Sequence, residues 1–178
     1  MLLVRGVDTY MPGNQAFRPL STSQRQFLIA LNSKCVEYLV TGSHAGQWYG
    51  VRRVPHDLDI VIEREAGNID RLVDALSAFP GVSPDLLRTK FLEPDKAFHW
   101  EDIEVSNGVP NLSVTELFLE RTLVKVDGLN IPIISKELLI QSKKDALSDS
   151  NRPQAKRELD RDDLAILLGT QHCTKYGG

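Results

Sequence analysis

Two aspartates, Asp57 and Asp59, stand two residues apart at the head of the most β-prone run in the chain, Leu58-Asp59-Ile60-Val61-Ile62-Glu63. Alternate residues of a strand share a face, so both carboxylates project to one side, roughly 7 Å apart along the chain. Leu58, Ile60 and Ile62 point the other way and need a core. Two anions held side by side against a sheet are costly unless a cation or strong hydrogen-bond donors neutralise them. A divalent metal is the simplest answer. Mg2+ (or Mn2+) suits the pair, because such an ion binds through one or two carboxylates and fills its other positions with water and phosphate oxygens.

A chain of 178 residues is long enough for one ordinary core, or for a small domain with a helical appendage, and too short for two full-sized domains. Its 42% hydrophobic and 25% charged residues describe a globular protein rather than a disordered one. The formal charge of −3 argues against coating nucleic acid by electrostatics alone, which needs a basic surface. Cys35 and Cys173 are far apart and form no Cys-x-x-Cys pair, so neither a zinc site nor a disulfide framework is suggested. The opening Met-Leu-Leu-Val before Arg5 falls short of a signal-peptide apolar region, and no other apolar run is long enough for a span. A cytoplasmic protein with no membrane partner is the expectation.

Residues 1–20 contain Pro12, Gly13 and Pro19 without periodicity and read as an N-terminal arm, with one domain over 21–178. Ser21 and Gln24 have capping-box spacing, and Phe27, Leu28 and Leu31 give one apolar face, which predicts a helix over about 22–33. A strand over 36–41 then runs into the turn Gly42-Ser43 and a short segment at 45–50. The strand at 58–63 precedes a helix marked by Ile69, Leu72, Val73 and Leu76, which must stop before Pro80. A strand over 103–105, a helix over 112–123 and an Asp127-Gly128 hairpin follow. Two last helices, about 136–148 and 156–168, make a helical C-terminal part from about 135.

A strand that ends in Gly42-Ser43 at the start of a short helix can offer backbone N–H groups and the Ser43 hydroxyl to phosphate oxygens, with Gly42 permitting close approach. Arg53 either grips a phosphate bidentately or pairs with the acidic cluster. Taken together, Thr41-Gly42-Ser43-(x)9-Arg53-x-x-x-Asp57-x-Asp59 followed by apolar residues resembles the signature of the polymerase β-like nucleotidyltransferase superfamily. The similarity is greatest to small bacterial nucleotidyltransferase-fold proteins related to abortive-infection toxins, and spans most of residues 21–168. The stretches that carry it further are Ile103-Glu104-Val105, the hairpin, Leu139-Ile140-Gln141-Ser142-Lys143, and the late run from Arg157 to Leu164.

The resemblance implies an α+β nucleotidyltransferase fold, a small twisted mixed sheet flanked by helices. It implies Asp57, Asp59 and Glu104 as catalytic and metal-binding residues, and Gly42, Ser43, Arg53 and Lys143 as nucleotide-binding ones. The activity it implies is transfer of a nucleoside monophosphate from an NTP such as ATP to an acceptor hydroxyl of a protein, an RNA such as tRNA, or a small molecule. A cognate antitoxin protein is the implied macromolecular partner. Two departures from the pattern stand out: Pro55 where a threonine is common, and Glu104 where the third acid is usually aspartate. They leave open a second reading, a nucleotide-binding or interaction module that keeps the fold without the activity. A glycosyltransferase Asp-x-Asp ranks lower, because there the apolar strand precedes the acids and here it follows them. His44 and His56 lie nearby, but magnesium chemistry prefers oxygen. Trp48 and Tyr49 are read as packing residues rather than a base platform.

Overall fold

The computed structural model describes residues 19–170. In chain order it runs α1 (Thr22–Ser33), β1 (Tyr38–Val40), α2 (Gly42–Trp48), β2 (Leu58–Ile62), α3 (Ala66–Leu76), α4 (Pro84–Leu92), β3 (Ala97–Trp100), β4 (Ile103–Ser106), α5 (Val114–Leu119), β5 (Thr122–Val126), β6 (Leu129–Ile133), α6 (Lys136–Ser148) and α7 (Gln154–Leu167). Except for Pro19 and Leu20, the expected arm over 1–20 lies outside the described residues, as does Cys173. Leu20 joins the core.

All six strands form one mixed sheet in the order β3-β4-β2-β1-β6-β5. β1 pairs antiparallel with β2 and parallel with β6, while β2 pairs parallel with β4. The edge strands β3 and β5 are hairpin partners of β4 and β6. The core follows from the alternation in β2: Leu58, Ile60 and Ile62 are buried as expected, and Val61 is buried as well. Both faces of β2 are thus covered beyond Ile60, and the strand opens only at the end that carries the aspartates.

α1 begins with the capping box expected of Ser21 and Gln24, both halves of which are present, and buries Phe27, Leu28 and Leu31. It packs on α3, which packs on α4, while α6 packs on α7 and on α2. Asn68, fully buried at the start of α3, accepts from the Glu37 amide and donates to the Glu37 and Glu63 carbonyls, joining the helix to the ends of β1 and β2.

Three departures from the expected elements have local causes. The helix expected over 112–123 is confined to Val114–Leu119, because Thr122-Leu123-Val124 is drawn into β5 by its pairing with β6. α4 is an element that periodicity misses: it exposes Leu86 and Leu92 and buries only Leu87 and Phe91, so its apolar stripe is narrow. β3 is a short edge strand with no fully buried residue, and so lacks a clean period of two. Elsewhere α6 covers the residues expected of it, and α7 starts two residues earlier than the expected helix.

Candidate functional site

The site forms where β2 opens. Asp57 immediately precedes the strand and Asp59 is its second residue, and the parallel register sets Asp59 beside Glu104 of β4. Asp57, Asp59 and Glu104 each offer an oxygen, and these oxygens all lie within 4.8 Å of one another. Three carboxylates so placed, with no thiol among them, are a donor set for a hard divalent cation.

Burial lifts the Asp59 carboxyl from the ordinary 3.8 to about 7, reinforced by repulsion from Asp57 and then from Glu104. Lys143 and Arg53 pull the other way and do not balance it. The cluster's own residues thus carry more negative potential than Lys143 and Arg53 compensate.

The turn at Gly42 is built against this cluster. Gly42 has a φ of 61°, and a Cβ there would overlap the Asp59 carboxylate. Only glycine admits both the left-handed backbone and the close approach. The Thr41 amide donates to the Asp59 carbonyl at 2.9 Å, which locks the turn to β2. Ser43, the next residue, is buried and lines the same cavity.

That cavity has a volume of about 540 Å³. Its floor is the turn and the three acids, and the loop Gly108–Asn111 forms one wall with α6 and the start of α7 as another. Every residue named as a candidate from sequence lines it: Gly42, Ser43, Arg53, Asp57, Asp59, Glu104 and Lys143. Trp48 and Tyr49 do not. Both pack against the core, and the Tyr49 hydroxyl donates to the Ile134 carbonyl at 2.7 Å. His56 is exposed at the cavity, and His99 of β3 approaches Glu104 at 3.9 Å.

The two candidate phosphate-binding cations are engaged by α7. Arg53 donates from Nε to both oxygens of Asp163, at 3.0 and 3.1 Å. Lys143 donates to Asp163 at 2.6 Å and to Asp160 at 3.2 Å, and Arg152 donates to Asp160 at 2.6 Å. The side chains of Lys143, Asp160 and Asp163 are at most 6% exposed. Burial makes this network expensive to form and more expensive to break, since a lone partner would be left as an unpaired charge. Sequence reading treats 157–164 only as a terminal helix and misses the role of Asp160 and Asp163. Their spacing of three on a helix, both facing inward, is the signal that was available.

No family model matches the chain, and no curated protein does. Among solved structures it is similar to the crystal structure of an antigenic nucleotidyltransferase-like protein from Paracoccidioides brasiliensis, at 21% identity and a TM-score of 0.55, over 89% of this chain and 81% of that one. With its six-stranded mixed sheet and flanking helices, the chain has a nucleotidyltransferase-like fold.

Proposed function

We propose that the protein is a metal-dependent nucleotidyltransferase that moves a nucleoside monophosphate from an NTP to an acceptor hydroxyl. The observation that supports it most is the grouping of Asp57, Asp59 and Glu104 within 4.8 Å on this fold, beneath the glycine turn at Gly42. Asp57, Asp59 and Glu104 would hold Mg2+ or Mn2+, and the lifted carboxyl of Asp59 supports this reading, since a cation would relieve the repulsion that helps to lift it. When bound, such an ion supplies charge neutralisation for the triphosphate and a more acidic acceptor hydroxyl.

The chain's own residues supply orientation. The Gly42 turn lines the cavity with its backbone held against the Asp59 carboxylate, and the adjoining Ser43 hydroxyl is a neutral donor for a phosphate entering there. Arg53 and Lys143 present positive charge behind the acids, steadied by Asp163. Glu104, facing Asp59 across the β2–β4 register, would take the acceptor proton. The acceptor is a protein side chain, an RNA end or a small-molecule hydroxyl, and kinship with abortive-infection toxins would bring a cognate antitoxin as partner.

One observation favours the second reading, an inactive nucleotide-binding module. Arg53 and Lys143 are tied to carboxylates of α7, which would have to yield before either cation met a phosphate. Incubation with labelled ATP, GTP, CTP and UTP, Mg2+ or Mn2+, and a panel of RNA, protein and small-molecule acceptors separates the two. Label incorporation that disappears in Asp59→Asn supports the transferase. Metal-dependent nucleotide binding with no transfer to any acceptor supports the module.

A further inference from the structure

Arg53 and Asp57 sit on residues 51–57, a stretch with neither helix nor strand. Irregular backbone has more conformations to lose than a strand does, so two functional side chains on such a stretch need an external support. That support comes from α2. His44 Nδ1 lies 3.1 Å from the Asp57 carbonyl oxygen, and Gln47 Nε2 donates to the Arg53 carbonyl at 3.0 Å. A carbonyl only accepts, so the His44 proton is on Nδ1.

His44 and Gln47 are three residues apart and therefore share one face of α2. Both are buried, at 3% and 7% exposure. Burying an imidazole and an amide is costly unless their hydrogen bonds are made, and here bonds run to Asp57 and Arg53, two of the three loop residues that line the cavity. α2 itself is fixed: the Thr41 amide bonds to Asp59, and the Val51 amide returns to the Gly46 carbonyl at 2.9 Å. Gly46 also brings the helix backbone against the Val51 side chain.

We infer that His44 and Gln47 are positioning residues, which clamp the 51–57 stretch by its carbonyls and so set the reach of Asp57 and Arg53 relative to Asp59. The functional half of this inference rests on the nucleotidyltransferase reading; the clamp itself does not. The clamp acts on main-chain atoms, so it tolerates any side chain in the loop and explains how Pro55, which has no N–H to contribute, is accommodated.

The test uses the full-length chain and four variants. His44→Phe fills the space without a donor, His44→Asn restores a donor near the Nδ1 position, and Gln47→Met keeps length without a donor. Val124→Ala, in β5, is a stability control away from the cavity. Backbone order parameters from 15N relaxation are measured without metal, and Mn2+ affinity by electron paramagnetic resonance. In His44→Phe and Gln47→Met the order parameters of residues 52–57 are expected to fall from about 0.85 toward 0.6. Mn2+ affinity in His44→Phe is expected to drop about tenfold or more, as for other groups that orient a metal ligand. His44→Asn should recover most of both, and Val124→Ala should move neither.

Unchanged order parameters in both donor-less variants would overturn the clamp, and so would an Mn2+ loss matched by Val124→Ala. A wild-type chain that binds no Mn2+ would instead sink the transferase reading, with the relaxation data still deciding the clamp. Should His44→Phe fail to fold, Gln47→Met and His44→Asn carry the same comparison.

Discussion

Asp59 must be charged to bind a cation, yet it sits where charge is disfavoured. Its carboxyl titrates near 7 in the folded chain and at 3.8 when unfolded. Between those values the folded chain keeps a proton that the unfolded chain loses, so metal-free stability falls as pH rises from about 4 to about 7. At about 1.4 kcal/mol per pK unit, the loss is on the order of 4 kcal/mol. Thermal unfolding in chelator across that range should show it. Asp59→Asn should flatten the profile and melt above wild type at pH 8, while abolishing metal binding and transfer. A mutant profile as steep as wild type would remove Asp59 as the source. At Gly42 the expectation runs the other way: Gly42→Ala meets both the left-handed backbone cost of about 1–2 kcal/mol and the Asp59 carboxylate. It should lower the melting temperature and weaken Mn2+ binding together, measured by calorimetry.

At the scale of elements, what could be read in advance was what is local. The alternation of Leu58, Ile60 and Ile62 located β2 and its paired aspartates, and the Ser21–Gln24 box located the start of α1. α4 and β3 escaped because a narrow apolar stripe and a half-exposed edge leave little periodicity, although Ser83-Pro84-Asp85 offered a helix start. Glu104 was picked out by resemblance, whereas its position beside Asp59 depends on the parallel register of β2 and β4, which no local pattern encodes. The partners of Arg53 and Lys143 were equally hidden, because α7 reaches them across the fold. Asp163→Ala tests that link. It leaves Lys143 and Arg53 without their shared carboxylate, and a broken buried pair costs about 3–5 kcal/mol. The variant should melt markedly lower, and NTP affinity at a temperature where it stays folded should fall. If Asp163 merely competes with phosphate, affinity should rise instead.

For the molecule as a whole, ligand linkage gives the broadest test. A ligand at a hundred times its dissociation constant stabilises the folded state by about 2.7 kcal/mol. An NTP with Mn2+ should therefore raise the melting temperature by several degrees, and excess chelator should cancel the shift. An equal shift with and without chelator would mean that nucleotide binds away from Asp57, Asp59 and Glu104. No helix among the described residues is long and apolar enough to cross a membrane.

The ion pair between Arg53 and Asp163 closes a sequence separation of 110 residues, and it has a consequence for biosynthesis. Chains emerge from the ribosome N-terminus first at about 5–20 residues per second. Asp57, Asp59 and Glu104, none of them beyond β4, can come together while α7 is still inside the exit tunnel. Arg53 then waits several seconds for Asp163, and Lys143, which follows much later, about 1–4 s for Asp160 and Asp163. During that interval the growing chain has its anionic floor assembled and its cations unseated, so competence for nucleotide should arrive late, with the last helix, rather than with the sheet. Nascent chains ending before residue 154 or at residue 178, each stalled on the same unstructured linker long enough to clear the exit tunnel and compared for Mn2+-dependent retention of labelled NTP, would show the step.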